Sequence, residues 1–420
     1  MIWRTSLFVV LSTMCVVQAQ EWPQWRGPSR DGHSPDSKLE LDWNAKEPKL
    51  LWVKDGTGSG YGSVAVSGEQ IFAMGDKGGS QKVIAMNLGG EVLWETSVSE
   101  GTPKHGYPGS RCTPSVDGDR VYVVTSDGSI ACLEVTSGEL QWQKNFKREW
   151  GGKMMSIWGY SESPLVDGDW VLCTPGGKNA MVVALDKKTG AEVWSCDPPP
   201  SEGEGKDGAG YSSIVVSNGG GVKQYVTLVG RGLVGVRAED GKLLWSYNQV
   251  ANEVANIPTP ICYGDFVFGS SGYDGGGSVL LKLSKAGDGV QADEEYWLDN
   301  RTLQNHHGGV IRVGDHAYLG HGHNKGFPTC IELATGKVVW GGARARGVGS
   351  GSAAISLVGE NLVFRYESGE LALVAANPKG YQLRGAIKPE YKKGRSWAHP
   401  VICGGKMYLR EQNKLMCYEL

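Results

Sequence analysis

The chain has 420 residues, 42 Lys and Arg against 45 Asp and Glu, a formal net charge of −3 and 63 glycines. Near-balanced charge excludes a nucleic-acid footprint. Abundant glycine with 40% hydrophobic residues fits one turn-rich β-protein.

Residues 1–19 carry Arg4, an apolar run from Leu7 to Val17 and a small-residue end, Val17-Gln18-Ala19. This is the pattern of a cleaved export signal, and the run is too short to span a bilayer as a mature helix. Cleavage after Ala19 is favoured over lipid anchoring through Cys15, because Met14 is too large for the position before a lipidated cysteine. The chain is expected to be exported, to the periplasm or beyond. Residues 20–48, with Trp22, Trp25, Arg26 and Pro28, read as an arm packed over the side of the domain at 49–420.

That domain is built from one repeated unit. Met181–Leu185 is apolar enough for a buried strand, Asp186–Gly190 carries turn chemistry, and Ala191–Trp194 reads as the returning strand. Copies close at Trp94, Trp142, Trp245 and Trp340, with degenerate copies at Trp297 and Leu383. The closing positions are spaced by 48, 52, 51, 52, 43 and 43 residues, and each interval holds a second, upstream hairpin. Such a period predicts four-stranded units in an array. Eight upstream hairpins predict eight blades. The last unit ends at Leu420 without its outer strand, whereas Leu50–Val53, with Trp52, is a strand without a blade. The N-terminal strand is therefore expected to complete the C-terminal blade and close an all-β, eight-bladed propeller with no free edge.

Cys132, Cys330 and Cys417 occupy the small-residue position of Ala184. The pairs Cys112/Cys132, Cys173/Cys196 and Cys403/Cys417 fall on strands separated by another strand, about 9–10 Å apart and beyond disulfide reach. Free, buried thiols are expected.

The pattern Ala184-x-Asp186-x-x-Thr189-Gly190-x-x-x-Trp194 resembles the tryptophan-docking motif of PQQ-like propellers, which include quinoprotein alcohol dehydrogenases and BamB-like outer-membrane assembly lipoproteins. The opening Glu21–Gly32 is similar to the start of exported PQQ-like repeat proteins. The resemblance implies an eight-bladed propeller and leaves the chemistry open. Quinoprotein dehydrogenases of this superfamily carry a vicinal cysteine pair and hold calcium through acidic and amide side chains. No two cysteines are adjacent here. PQQ is accordingly not favoured, and no cofactor is assigned.

In a four-stranded blade the connections into the inner strand and the turns between the second and third strands share one face. Connections would bring Tyr61, the segment from His105 to Arg111, Trp158, Tyr160, Glu162, Tyr211, Asn256, Asn305, His306, His307, Trp397 and His399 to that face. Turns would bring Arg231, His321, His323, Asn324, Arg365, Tyr366 and Arg410. His306, His307 and His399 are the candidate acid–base groups, and His321 with His323 the candidate ligands of a divalent metal. Arg111, Arg231, Arg365 and Arg410 offer forks for an anion, and the aromatic residues offer stacking surfaces. Histidines near strand ends also commonly do no more than bond neighbouring loops.

Two functions fit this face. One is a BamB-like scaffold that binds another exported or envelope protein. The other is an enzyme acting on a carbohydrate or another anionic small molecule, and a PQQ-dependent dehydrogenase is a minority third. A monomer is expected in each case.

Overall fold

The computed structural model describes residues 21–342 and 346–420. The expected leader, its cleavage site and Cys15 lie outside them. Among the described residues the strands form eight four-stranded antiparallel sheets. Blade 1 comprises Ala65–Ser67, Gln70–Lys77, Ser80–Asn87 and Val92–Ser97, and blade 3 comprises Leu165–Asp167, Trp170–Cys173, Val182–Asp186 and Glu192–Cys196. The middle strands are apolar on both faces because each blade is packed between two others. In blade 1, Ile71, Phe72, Ala73 and Met74 are all buried. No helix among the described residues is long and apolar enough to cross a membrane.

Ring closure occurs through the N-terminal strand. Lys49–Asp55 pairs antiparallel with Lys414–Glu419, and Trp52 lies opposite Cys417. Arg410, fully buried, fastens this seam from inside. Its guanidinium donates to the carbonyls of Thr57 at 3.2 Å, Gly58 at 2.9 Å, Gly62 at 3.1 Å and Met74 at 2.8 Å, and its Nε to Gln412 at 3.1 Å.

Neighbouring blades are joined by an aromatic ring laid over a turn glycine. Trp94 of blade 1 donates through Nε1 to Val135 O at 2.9 Å, and a Cβ on Gly138 would lie 2.4 Å from its ring. Trp142 does the same to Lys187 O at 3.2 Å, with Gly190 beneath it at φ 71. A side chain at Gly190 would meet both the ring and an unfavourable backbone. In blade 5 the expected Trp297 does not play this part. Tyr296, opposite Leu280 just before the register shift that the other blades also carry, holds the place of their tryptophan, and its hydroxyl donates to Leu333 O at 2.9 Å, three residues before Gly336. Trp245 also departs from the pattern, donating to Gln224 Oε1 of its own blade at 2.6 Å.

The small residue facing each closing ring explains the cysteines. Cys132 lies opposite Trp142 and Cys330 opposite Trp340, as Ala184 lies opposite Trp194. All eight described cysteines are free thiols.

The arm does not lie along the propeller's side. Trp22 pairs with Val66 of blade 1 and Val116 N donates to Pro23 O. Arg30 reaches the carbonyls of Ser163 and Pro164 in blade 3, Arg26 that of Val310 in blade 6, and Ser34 Oγ that of Ile402 in blade 8. These acceptors belong to the inner strands or their flanks, so the segment crosses the central channel and plugs it. Inner strands leave backbone groups facing the axis, and the arm satisfies them. Only from Trp43, whose N–H donates to Arg384 O of blade 7, does the chain run out to the rim.

Replacing Arg410 with methionine would strand several buried carbonyls, and we expect a loss of about 3–5 kcal/mol in urea unfolding. A charge-preserving Arg410→Lys, with fewer donors in a different geometry, is expected to recover only part of that loss.

Candidate functional site

The connections into blades 1–5 and 8, with turns and strand residues of blades 5 and 6, converge on a funnel of about 370 Å³ above the arm. Its walls carry Tyr61, Tyr107, Trp158, Tyr211, Tyr273 and Trp397, its floor Trp25 and Arg26. Four histidines, His306, His307, His323 and His399, line it with Asn324, Arg111 and Arg395.

His306 and His307 enter the channel because blade 6 begins with a bulge. The inner strand Asn305–Val313 shifts register between Asn305 and Val310. Asn305 holds the bulge by accepting from Gly309 N at 2.9 Å and donating to Gly320 O at 3.2 Å. Asn305 is thus buried support rather than a wall residue. Gly308 and Gly309 permit the bulge, since a Cβ at either would lie 1.7 Å from Ala353 O or 2.0 Å from Arg26 Nη1.

The imidazoles are held in different ways. His306 has both nitrogens engaged, Nδ1 with Ser352 Oγ at 2.6 Å and Nε2 with Tyr273 OH at 2.9 Å. His307 stacks edgewise on Trp397 at 5.1 Å, and His399 on Trp25 at 4.6 Å. His307 Nε2, His323 Nδ1 and His399 Nδ1 are buried without a hydrogen-bond partner. Burial pushes His307 and His399 down to about 3, with neighbouring positive groups adding to the effect. His306 is lowered further for the same reason. All three are neutral at pH 7.

The cations are positioned largely by backbone. Arg111 donates to the carbonyls of Trp158 at 3.0 Å, Gly106 at 2.8 Å and Tyr107 at 2.9 Å, and lies 5.6 Å from the Tyr61 ring centre. Arg395 covers Tyr107 at 5.1 Å and Trp397 at 5.7 Å, and pairs with Glu367, which also accepts from Trp397 Nε1 at 3.0 Å. Among the described residues, no aspartate or glutamate lines the cavity.

Several expected wall residues serve the scaffold instead. Arg365 is buried in an ion pair with Glu411 at 2.8 Å and donates to Ala398 O. Arg410 holds the seam. Arg231 binds Asp207 at 2.8 Å and the carbonyls of Gly203 and Gly205, pinning the long loop before blade 4. Tyr160 donates to Pro175 O at 2.8 Å and Asn256 to Val229 O at 3.0 Å. Tyr366 is buried under Gly347 and Gly349. Glu162 accepts from Thr174 N at 2.7 Å, and burial pushes its carboxyl up to about 7. Apart from Tyr366, whose hydroxyl has no partner, each polar group finds one in a neighbouring carboxylate or in backbone rather than in the channel.

The two candidate metal ligands have different neighbours. His321 lies opposite Asn305 on the second strand of blade 6, and its Nδ1 accepts from Gln304 N at 3.2 Å, while His323 turns into the funnel against Tyr273. No group of three or more His, Cys, Asp or Glu among the described residues could hold a metal. With no lining carboxylate and no adjacent thiols, the donor set does not fit a calcium-assisted quinone site.

Sequence reasoning missed Trp25, Arg26, Tyr273 and Arg395. A backbone signal marks two of these, Arg26 and Tyr273. Six non-glycine residues adopt left-handed φ among those described, and Arg26, Tyr107, Tyr273 and Asn324 are four of them, at 61°, 53°, 68° and 51°. All four line the funnel. For tyrosine and arginine this conformation costs about 1 kcal/mol or more, and such strain concentrates at working sites.

The fold and this face define the class, an eight-bladed propeller with its channel plugged on one side and a polar aromatic funnel on the other. A family model described as outer membrane protein assembly factor BamB matches residues 41–157 and 79–342, more than half the chain, and the chain belongs to that family. A stretch of 127 residues is 25% identical to outer membrane protein assembly factor BamB of Alteromonas naphthalenivorans, covering 27% of this chain and 30% of that protein. The match thus spans less than a third of that relative. The crystal structure of BamB from Moraxella catarrhalis superposes with a TM-score of 0.64 at 11% identity, over 89% of this chain and all of the other. Quinohemoprotein alcohol dehydrogenase from Comamonas testosteroni gives 0.63 at 13% identity, over 95% of this chain and 80% of that one. Both show a shared fold.

Because His307 and His399 titrate near 3 when folded and near 6.5 when free, the unfolded chain binds more protons between these values. Their contribution to stability is complete above pH 6.5 and is lost as pH falls toward 3. In His399→Asn the difference in Tm between pH 7 and pH 4.5 should be smaller than in the wild type, as read by calorimetry.

Proposed function

We propose that this protein is an exported binding protein of the bacterial envelope, a scaffold of the outer-membrane assembly kind, with the funnel face as its docking face. The observation that carries this reading is the convergence of strained, backbone-tethered aromatic and cationic residues on one face, without a proton-transfer pair beside them. The bonds made by His306 and His323 go to hydroxyls and an amide rather than to a carboxylate that would prime a base. The rim adds apolar surface for a partner. Tyr107, Ile157 and Val254 are exposed there, Ile157 at 73%. Family membership and the propeller shared with BamB support the same role.

Chemistry on an anionic carbohydrate is the second reading. It is favoured by the unpartnered nitrogens of His307 and His399, neutral imidazoles of which one would serve as the proton acceptor.

A photocrosslinking amino acid at Tyr107 or Ile157, in cells expressing the full chain with its own leader, tests the docking face. Adducts with an envelope protein are expected from these positions and not from Asp119 or Asp169, in turns at the opposite face. Equal adducts from both faces, or none from the funnel rim, would overturn the reading.

A further inference from the structure

The funnel floor is supplied by the arm rather than by the blades. Arg26 is buried at a left-handed φ of 61° and spends Nη2 on the carbonyls of Asp31 and Val310. Its Nε and Nη1 have no acceptor. A Cβ on Gly309 would lie 2.0 Å from Arg26 Nη1 and 3.2 Å from His399 Cε1, so guanidinium and imidazole meet over one glycine. The nitrogens His399 Nδ1 and His307 Nε2 are likewise buried and unpartnered. A guanidinium with two donors lacking acceptors, beside His307 with its unpartnered Nε2, is half of an anion site, whereas His399 already turns Nε2 to His307 O at 3.4 Å.

Above the floor the walls are flat rings. Tyr61 and Trp397 lie 4.6 Å apart, and Tyr107 is stacked on Trp158 at 5.8 Å. The space of about 370 Å³ suits a ligand of one or two rings.

We propose that this floor is an oxyanion site and that the funnel takes a ring-borne carboxylate, a sugar acid or an aromatic acid. Its carboxylate meets Arg26 and His307, and its ring lies between the aromatic walls. The inference rests on reading this face as the binding face and adds the chemistry of what enters it, either as a free acid or as an acidic group carried by a partner. Arg26 is then a binding residue supplied by the plug, and the arm makes the site as well as closing the channel.

Titration of the mature protein with sodium D-glucuronate, sodium benzoate and D-glucose, read by calorimetry and tryptophan fluorescence, tests this. At least one carboxylate should saturate the site, and which one does so identifies the source. Glucose, the neutral counterpart of glucuronate, should not bind. Arg26→Gln should weaken the carboxylate at least tenfold. Binding of neither acid, equal binding of glucose and glucuronate, or an unaltered Arg26→Gln would overturn the proposal. Should Arg26→Gln fail to fold, wild-type crystals grown with 4-iodobenzoate decide the matter. Iodine in the funnel with the carboxylate on Arg26 supports the proposal, and iodine elsewhere overturns it. If no acid binds while the rim crosslinks persist, the oxyanion floor falls and the docking face stands.

Discussion

Everything in this molecule depends on an aromatic ring of one blade lying over a glycine of the next. A blade has two apolar faces and cannot be stable alone, so its neighbours must be set at a reproducible distance and angle. Trp94 over Gly138 and Trp142 over Gly190 do this with one flat surface and one indole hydrogen bond each. The glycine is required twice over, by positive φ and by the nearness of the ring. In blade 5 Tyr296 stands at the tryptophan position and makes the contact with its hydroxyl, which shows that the geometry of the contact matters more than the identity of the ring.

A ring of such contacts has to close, and this chain closes it with parts from both ends. Trp52 opposite Cys417 repeats the closing pair of the other blades, and Arg410 ties the carbonyls on both sides of the seam. Once closed, the ring leaves a central channel whose inner strands present unpaired backbone. The arm satisfies those groups and reduces the channel to a blind funnel. Arg26 and Arg30 are the main anchors, each buried and each bonded to carbonyls of other blades.

The funnel's character follows from this enclosure. Its histidines are kept neutral by desolvation and nearby cations, whereas its guanidiniums keep their charge because arginine holds its proton even when burial lowers it, as in Arg26 at about 10. The result is a positively charged, aromatic cavity with no lining carboxylate among the described residues. The strained tyrosines of its wall are held by the surrounding connections. Glu367 stands behind this wall, orienting Arg395 and Trp397 at once.

The blade count, the closing strand and the face on which the funnel opens were legible in the sequence because each rests on local periodicity and on topology. A turn glycine and a tryptophan at fixed offset mark a blade wherever they occur, and chain direction then assigns each connection to a face. The same logic found Tyr61, Arg111, Trp158, Tyr211, Trp397 and the funnel histidines. It could not tell wall from scaffold. Arg365, Arg410 and Arg231 stand at equivalent positions to wall residues, and only the packed structure shows each with a nearer partner, in Glu411, in backbone carbonyls or in Asp207. Nor could periodicity place the arm, which belongs to no repeat. Its path was decided by the unpaired inner strands of all the blades together, a surface that exists only after the ring has closed.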